Sequence, residues 1–196
     1  MILHDAVNKL KEVSEGTGTE DGDLIYRYMP NSDICRYCTG EAMTAEFGGR
    51  AAEISTPKPF SAKMRLENLF SAPLKSEKTR AAAAGALSAA AGFLMLTRKT
   101  HVCSNVFFED CLNDLVRKCL GKTVYIIGND IPGLSQSLTA DDADLVIITG
   151  DGLLDDDYLE EIDEVFEMEK EVLFVGPSCA GVAALLQKPL WCPYST

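Results

Sequence analysis

The chain has 196 residues and a formal net charge of −12, from 30 acidic against 18 basic side chains. That balance argues against a nucleic-acid partner, whose phosphates need clustered Lys and Arg, and against docking on an anionic membrane. Seven cysteines, with no apolar leader over Met1 to Leu10, point to a cytoplasmic, reducing setting in which free thiols or metal ligands are better expectations than disulfides.

Met1 to Glu15 places Ile2, Leu3, Ala6, Val7, Leu10 and Val13 at near-helical spacing, which predicts a short amphipathic helix stopped by the Gly16 to Gly22 segment. Leu24 to Met29 reads as a strand. Met43 to Phe47 and Ala51 to Thr56 read as two more, joined by the hairpin turn Gly48-Gly49, so a small antiparallel sheet is expected. Ser61 to Leu69 suggests one or two helical turns. Ser76 to Thr97 predicts a helix, capped by Ser76 and built largely of alanine. Its apolar run, Ala81 to Leu96, is shorter than the ~20 residues a bilayer requires, so a buried central helix is expected. Gly85 and Gly92, seven apart, fall on similar faces and suit a tight packing contact. Phe107 to Cys119 reads as a further helix, with Cys111 and Cys119 facing the core as small apolar residues.

Lys122 to Ser178 holds three short apolar runs, each ending at glycine: Thr123 to Gly128, Asp144 to Gly150 and Glu171 to Gly176. Consecutive apolar, β-branched residues describe strands buried on both faces. Between and after them come a turn at Asn129 to Gly133, a helical turn at Leu134 to Leu138, a helix at Asp155 to Met168 and a short helix at Ala180 to Leu186. Pro189 to Thr196 reads as an extended tail. This order predicts an α/β fold: a reduced, Rossmann-like three-layer domain with a short parallel sheet over 76–196, beside a small α+β N-terminal domain over 1–75.

Ligands of such sheets bind outside the carboxyl ends of the strands. Gly128, Asn129, Asp130, Gly150, Asp151, Gly176, Pro177 and Ser178 are therefore the expected ligand-binding residues. Gly176 to Gly181 is either an anion-receiving turn or an ordinary strand–helix connection with Ser178 as N-cap. A nucleophilic Ser178 or Cys179 would lack an obvious base, since the only histidines are His4 and His101. Asp151 and Asp155 to Asp157 suit either a hard cation or an acid-capped helix start. Cys35-Arg-Tyr-Cys38 has the spacing of a zinc or iron ligand pair, a redox pair or two free thiols. In a chain so poor in histidine, Cys35, Cys38, Cys179 and Cys192 form the candidate metal set, with the N-terminal domain covering the sheet edge.

Ala143-Asp-Leu-Val-Ile-Ile-Thr-Gly150 and Leu173-Phe-Val-Gly-Pro-Ser178, preceded by the alanine-rich helix and by Val124 to Gly128 with Pro132, resemble the heavy-metal chelation family. Its members join an N-terminal domain similar to that of enolases to a Rossmann-like C-terminal domain. The resemblance spans 76–186 and implies binding of a metal or a small anionic or metal-chelate ligand in a cleft between the two domains. The chain departs from the family in two places. Asn129 to Ala143 is too short for a full β-α unit, so a reduced sheet is expected. Asp155 to Asp157 stand where the family usually has Asn-x-Thr. Two other functions remain open: a transferase-like enzyme acting on a small metabolite in the same cleft, and a non-catalytic assembly subunit. The expected partner is a small molecule or metal, and a homodimer is compatible with the sequence.

Overall fold

A computed structural model describes residues 1–195. The N-terminal part carries helix α1 (Ile2–Ser14) and strands β1 (Asp23–Met29), β2 (Glu41–Phe47), β3 (Arg50–Thr56) and β4 (Ala62–Arg65). These strands form one antiparallel sheet in the order β3-β2-β1-β4, with Tyr26 opposite Ala45 and Met43 opposite Ile54. Period-two alternation turns Leu24, Tyr26, Met43, Ala45, Ala52 and Ile54 to the core, and leaves pairs such as Arg27–Glu46 outside. Ser61 to Leu69, expected as helical turns, begins instead as edge strand β4. The free edge of β1 needs hydrogen-bond partners, and a Lys63–Asp23 ion pair of 2.7 Å accompanies the pairing. Only Leu66–Ser71 coils, as a 3-10 turn that buries Leu66 and Leu69.

Helix α2 (Glu77–Phe93) starts at the Ser76 cap, where Ser76 and Thr79 exchange side-chain-to-amide hydrogen bonds. It lies between the antiparallel sheet and the C-terminal helices, so its alanines are buried nearly all round. A β-carbon at Gly85 would lie 3.0 Å from Ala45 Cβ, the tight contact expected. Gly92 makes no such contact: its nearest neighbour would be 3.6 Å away. The sharper approach is at Gly181, where a β-carbon would sit 2.3 Å from the Leu87 carbonyl carbon of α2.

The C-terminal part runs α3 (Phe108–Lys118), β5 (Val124–Ile127), β6 (Leu145–Ile148), α4 (Gly150–Leu154), α5 (Leu159–Glu167), β7 (Val172–Val175), α6 (Ala180–Leu185) and β8 (Leu190–Trp191). Its strands form a parallel four-stranded sheet in the order β5-β6-β7-β8. Leu145, Ile147, Leu173 and Val175 face α3, while Val146, Ile148, Val172 and Phe174 face the core shared with α5 and α6. Both faces are thus covered, which explains the unbroken apolar runs. One buried core runs from Ile2 in α1 through α2 to Leu185 in α6.

Three local expectations are corrected. Leu134 to Leu138 is not a helical turn; Ser135 O accepts from Val124 N and Ser137 N donates to Val124 O, because outer strand β5 has an edge to satisfy. Gly150 to Gly152 is the first turn of α4 rather than a loop. The tail forms β8, with Phe174 N donating to Pro189 O and Gly176 N to Trp191 O. Among the described residues no helix is long and apolar enough to cross a membrane.

Candidate functional site at the carboxyl edge of the parallel sheet

The strand order follows the chain order, so it reverses nowhere and creates no switch-point crevice of the kind that holds nucleotides in doubly wound sheets. The carboxyl edge is covered instead by the chain itself. β1 and β2 are joined by Pro30 to Gly40, a connection long for a hairpin, and this loop carries Cys35 and Cys38 over the ends of β6 and β7. A β-carbon at Gly150 would lie 2.8 Å from Cys38 Sγ, and one at Gly176 would lie 3.3 Å from Cys35 Sγ.

Several expected ligand-binding groups hold this cover down. Both Asp151 carboxylate oxygens accept from Thr39 N, at 3.1 and 3.0 Å. Ser178 Oγ accepts from Ser55 N at 3.1 Å, so it binds the antiparallel sheet and does not cap α6. Burial raises the Asp151 carboxyl above its usual range, and the Thr39 amide partly offsets that shift. Asn129 N donates to Thr149 Oγ1 at 3.0 Å, and Asp130 accepts from Gln136 Nε2 at 2.6 Å. Gly128 faces the same Thr149 oxygen. These three residues thus belong to the β5 loop and do not reach the thiols.

The loop closes over a small cavity of about 20 Å³, lined by Cys35, Tyr37, Cys103, Phe108, Cys111, Trp191 and Cys192 with Gly176 and Pro177. That is room for one water or one ion. Four segments deliver the thiols: the β1–β2 loop, the irregular stretch before α3, the buried side of α3, and the residue after β8. Arg36 Nε donates to Asn105 Oδ1 at 3.2 Å and its guanidinium lies over Phe108. Lys99 Nζ donates to Cys192 O at 2.7 Å. These contacts tie the loop, the Cys103 stretch and the C-terminal segment together.

Cys35 and Cys192 of the expected metal set meet at this cavity. Cys38 sits beside them against Gly150, hydrogen-bonded to Cys35. Cys179 does not line it: it is fully buried and its Sγ faces Ile148 O at 3.7 Å. Cys103 and Cys111 take part instead, and nothing in their sequence spacing marks them beyond residue type. The thiols share one electrostatic character. The Cys38 hydrogen bond and burial hold Cys35 well above the ordinary thiol range. Burial pushes Cys192 up to about 12 and raises Cys103 and Cys111 as well.

Two donors at the wall face the Cys111 sulfur. Tyr37 Oη donates to Cys111 Sγ at 3.5 Å, whereas the buried Trp191 Nε1–H has no hydrogen-bond partner although Cys111 is its near neighbour. A neutral thiol is a weak acceptor, whereas a thiolate would satisfy both donors. In kind, the donors suit a soft metal. In position they do not yet do so: among the described residues no three Cys, His, Asp or Glu side chains are grouped as a metal ion needs. Comparison with known protein families, curated proteins and solved structures yields no match to this chain.

Proposed function

We propose that the protein binds a single soft metal ion, zinc or iron, beneath the loop that covers the carboxyl edge of the parallel sheet. The observation that carries this reading is the convergence of Cys35, Cys103, Cys111 and Cys192 on one ion-sized cavity. Metal–sulfur bonds of about 2.3 Å require the thiols to turn inward by rotation about χ1. Binding therefore tightens the loop onto the sheet and releases protons. The unpartnered Trp191 N–H and the Tyr37 hydroxyl then gain a thiolate acceptor, the kind of outer partner a metal–thiolate group commonly has. The resemblance of the Gly-ended strands to the heavy-metal chelation family agrees with this reading.

A dithiol redox role for Cys35 and Cys38 is the weaker alternative. Such pairs depend on a lowered thiol pKa, whereas Cys35 is held well above the ordinary range by Cys38 and burial. A proton-transfer enzyme is also poorly served, since among the described residues no histidine or carboxylate side chain lines the cavity. The test titrates zinc, and separately iron(II) without oxygen, into reduced protein, followed by calorimetry and by metal retained after gel filtration. One equivalent per chain is expected. Cys35→Ser/Cys111→Ser should weaken binding by more than about 100-fold, because loss of an outer partner alone costs ~10–100-fold. Absence of binding, or equal binding by that variant, would overturn the reading.

A further inference from the structure

At the C-terminal end of α2 lies a second cavity, of about 590 Å³, lined by Gly49, Arg50, Gly92, Met95, Arg98 and His101 among others. Its size falls in the usual small-molecule range of about 300–1,000 Å³. Among the described residues no Asp or Glu lines it, although the chain carries 30 acidic residues against 18 basic ones. Among the described residues only Lys9, Lys63 and Lys122 of the eleven lysines stand in ion pairs, so a lysine without a carboxylate is ordinary here, and an arginine without a partner is not.

The arginines make the point sharply. Of the seven in the sequence, Arg27, Arg65, Arg80 and Arg117 stand in ion pairs, and Arg36 holds Asn105 and Phe108. Among the described residues the side chains of the other two, Arg50 and Arg98, have no ion pair or hydrogen bond, and both line this one cavity. Arg50 is placed by the Gly48-Gly49 turn at the start of β3, and Arg98 by the turn that follows α2.

An arginine near a helix C-terminus has a simpler use, capping carbonyls and opposing the dipole. Here that need is already met. Ala90, Ala91 and Gly92 carbonyls accept from the Leu94, Leu96 and Met95 amides. Met95 takes the left-handed conformation, φ 58°, that this closure requires. The helix thus ends on its own backbone and leaves both guanidinium groups available.

We infer that this cavity is a binding site for a small polyanion, a molecule bearing phosphoryl or clustered carboxylate groups within reach of Arg50 and Arg98. Planar guanidinium groups bind phosphate and carboxylate in two-pronged fashion. The site is separate from the thiol cavity and does not depend on metal binding there.

The test uses full-length reduced protein, chelator-treated, at low ionic strength, with inorganic pyrophosphate and with citrate as probes in calorimetric titration. Saturable binding of at least one probe is expected, weakening with added salt. Arg50→Gln and Arg98→Gln should each weaken it about tenfold or more, and the double variant should abolish it. Arg27→Gln, which removes an arginine paired elsewhere, should leave it unchanged. A preference for pyrophosphate assigns a phosphoryl ligand and a preference for citrate a carboxylate one; either supports the inference. No saturable binding of either probe overturns it. So does binding that survives in the double variant, or a double variant whose only change is a lowered melting temperature.

Discussion

Cys38 Sγ rests on Gly150 so closely that a β-carbon there would lie 2.8 Å from the sulfur and 2.9 Å from Ser178 Cβ. This contact seats the C-x-x-C loop on the first turn of α4. Gly150→Ala should therefore cost ~1–3 kcal/mol by overpacking, since Ser178 is held by Ser55 and cannot swing aside. The loop thiols should also react faster with a thiol reagent. Gly92→Ala is the contrasting case: its nearest neighbours would be at 3.6 and 3.9 Å, and alanine is favoured over glycine within a helix by at most about 0.5–1 kcal/mol, less in this last turn. Urea melts of the two variants should shift in opposite directions.

Gly181 permits the crossing of α6 and α2. A β-carbon would meet the Leu87 carbonyl carbon and Ser88 N at 2.3 Å, and Gly181 N donates to Ser88 Oγ at 3.0 Å. Backbone atoms cannot rotate away, so Gly181→Ala should cost about 3 kcal/mol or more, at or beyond the upper end of overpacking effects. Gly85→Leu meets no backbone atom: its β-carbon would lie 3.0 Å from Ala45 Cβ and 3.4 Å from the Ile54 and Tyr26 side chains, and ~1–3 kcal/mol is expected. The order of the two melting midpoints checks the assignment.

Arg80 is only 1% exposed. Its Nε donates to Leu154 O at 2.7 Å, one terminal nitrogen to Leu74 O at 3.3 Å, and the other to Asp156 Oδ1 at 2.6 Å. It ties the start of α2 to the α4–α5 connection. Arg80→Ala should cost ~3–5 kcal/mol, because it leaves buried carbonyls unpaired and opens a cavity. Asp156→Ala should cost less, since Arg80 keeps both carbonyls and the Asp156 side chain is 69% exposed. Chemical denaturation of both variants decides it.

Stability should fall at alkaline pH. Burial raises Cys179 well above the ordinary thiol value of 9.0, Cys192 to about 12, and the Tyr26 phenol above its own usual range. Each is neutral in the fold, while the unfolded thiols ionise near pH 9.0. Their contribution is therefore fully present below that pH and is lost as pH rises from there toward the folded values. The loss is at most about 1.4 kcal/mol per pH unit for each thiol. Urea midpoints measured between pH 8 and pH 11 should decline, and Cys179→Ala should flatten the decline.

The sequence by itself determined the local elements and the fold class. Alanine content and the Ser76 cap specify α2, and three unbroken β-branched runs specify strands covered on both faces; both follow from short-range backbone and solvation preferences. It also located the edge at which the Gly-ended strands stop. Only the tertiary structure decided what covers that edge. Asp151 and Ser178 were legible as polar groups near a ligand site, but their partners, Thr39 and Ser55, lie more than a hundred residues away in the chain. Cys111 reads as a core residue of α3 and Cys103 as part of a loop until the β1–β2 loop brings Cys35 against both. Arg50 and Arg98 look like ordinary surface charges until the hairpin and the end of α2 set them around one cavity. Such groupings depend on how sheets and helices pack, and no periodicity within a segment records that.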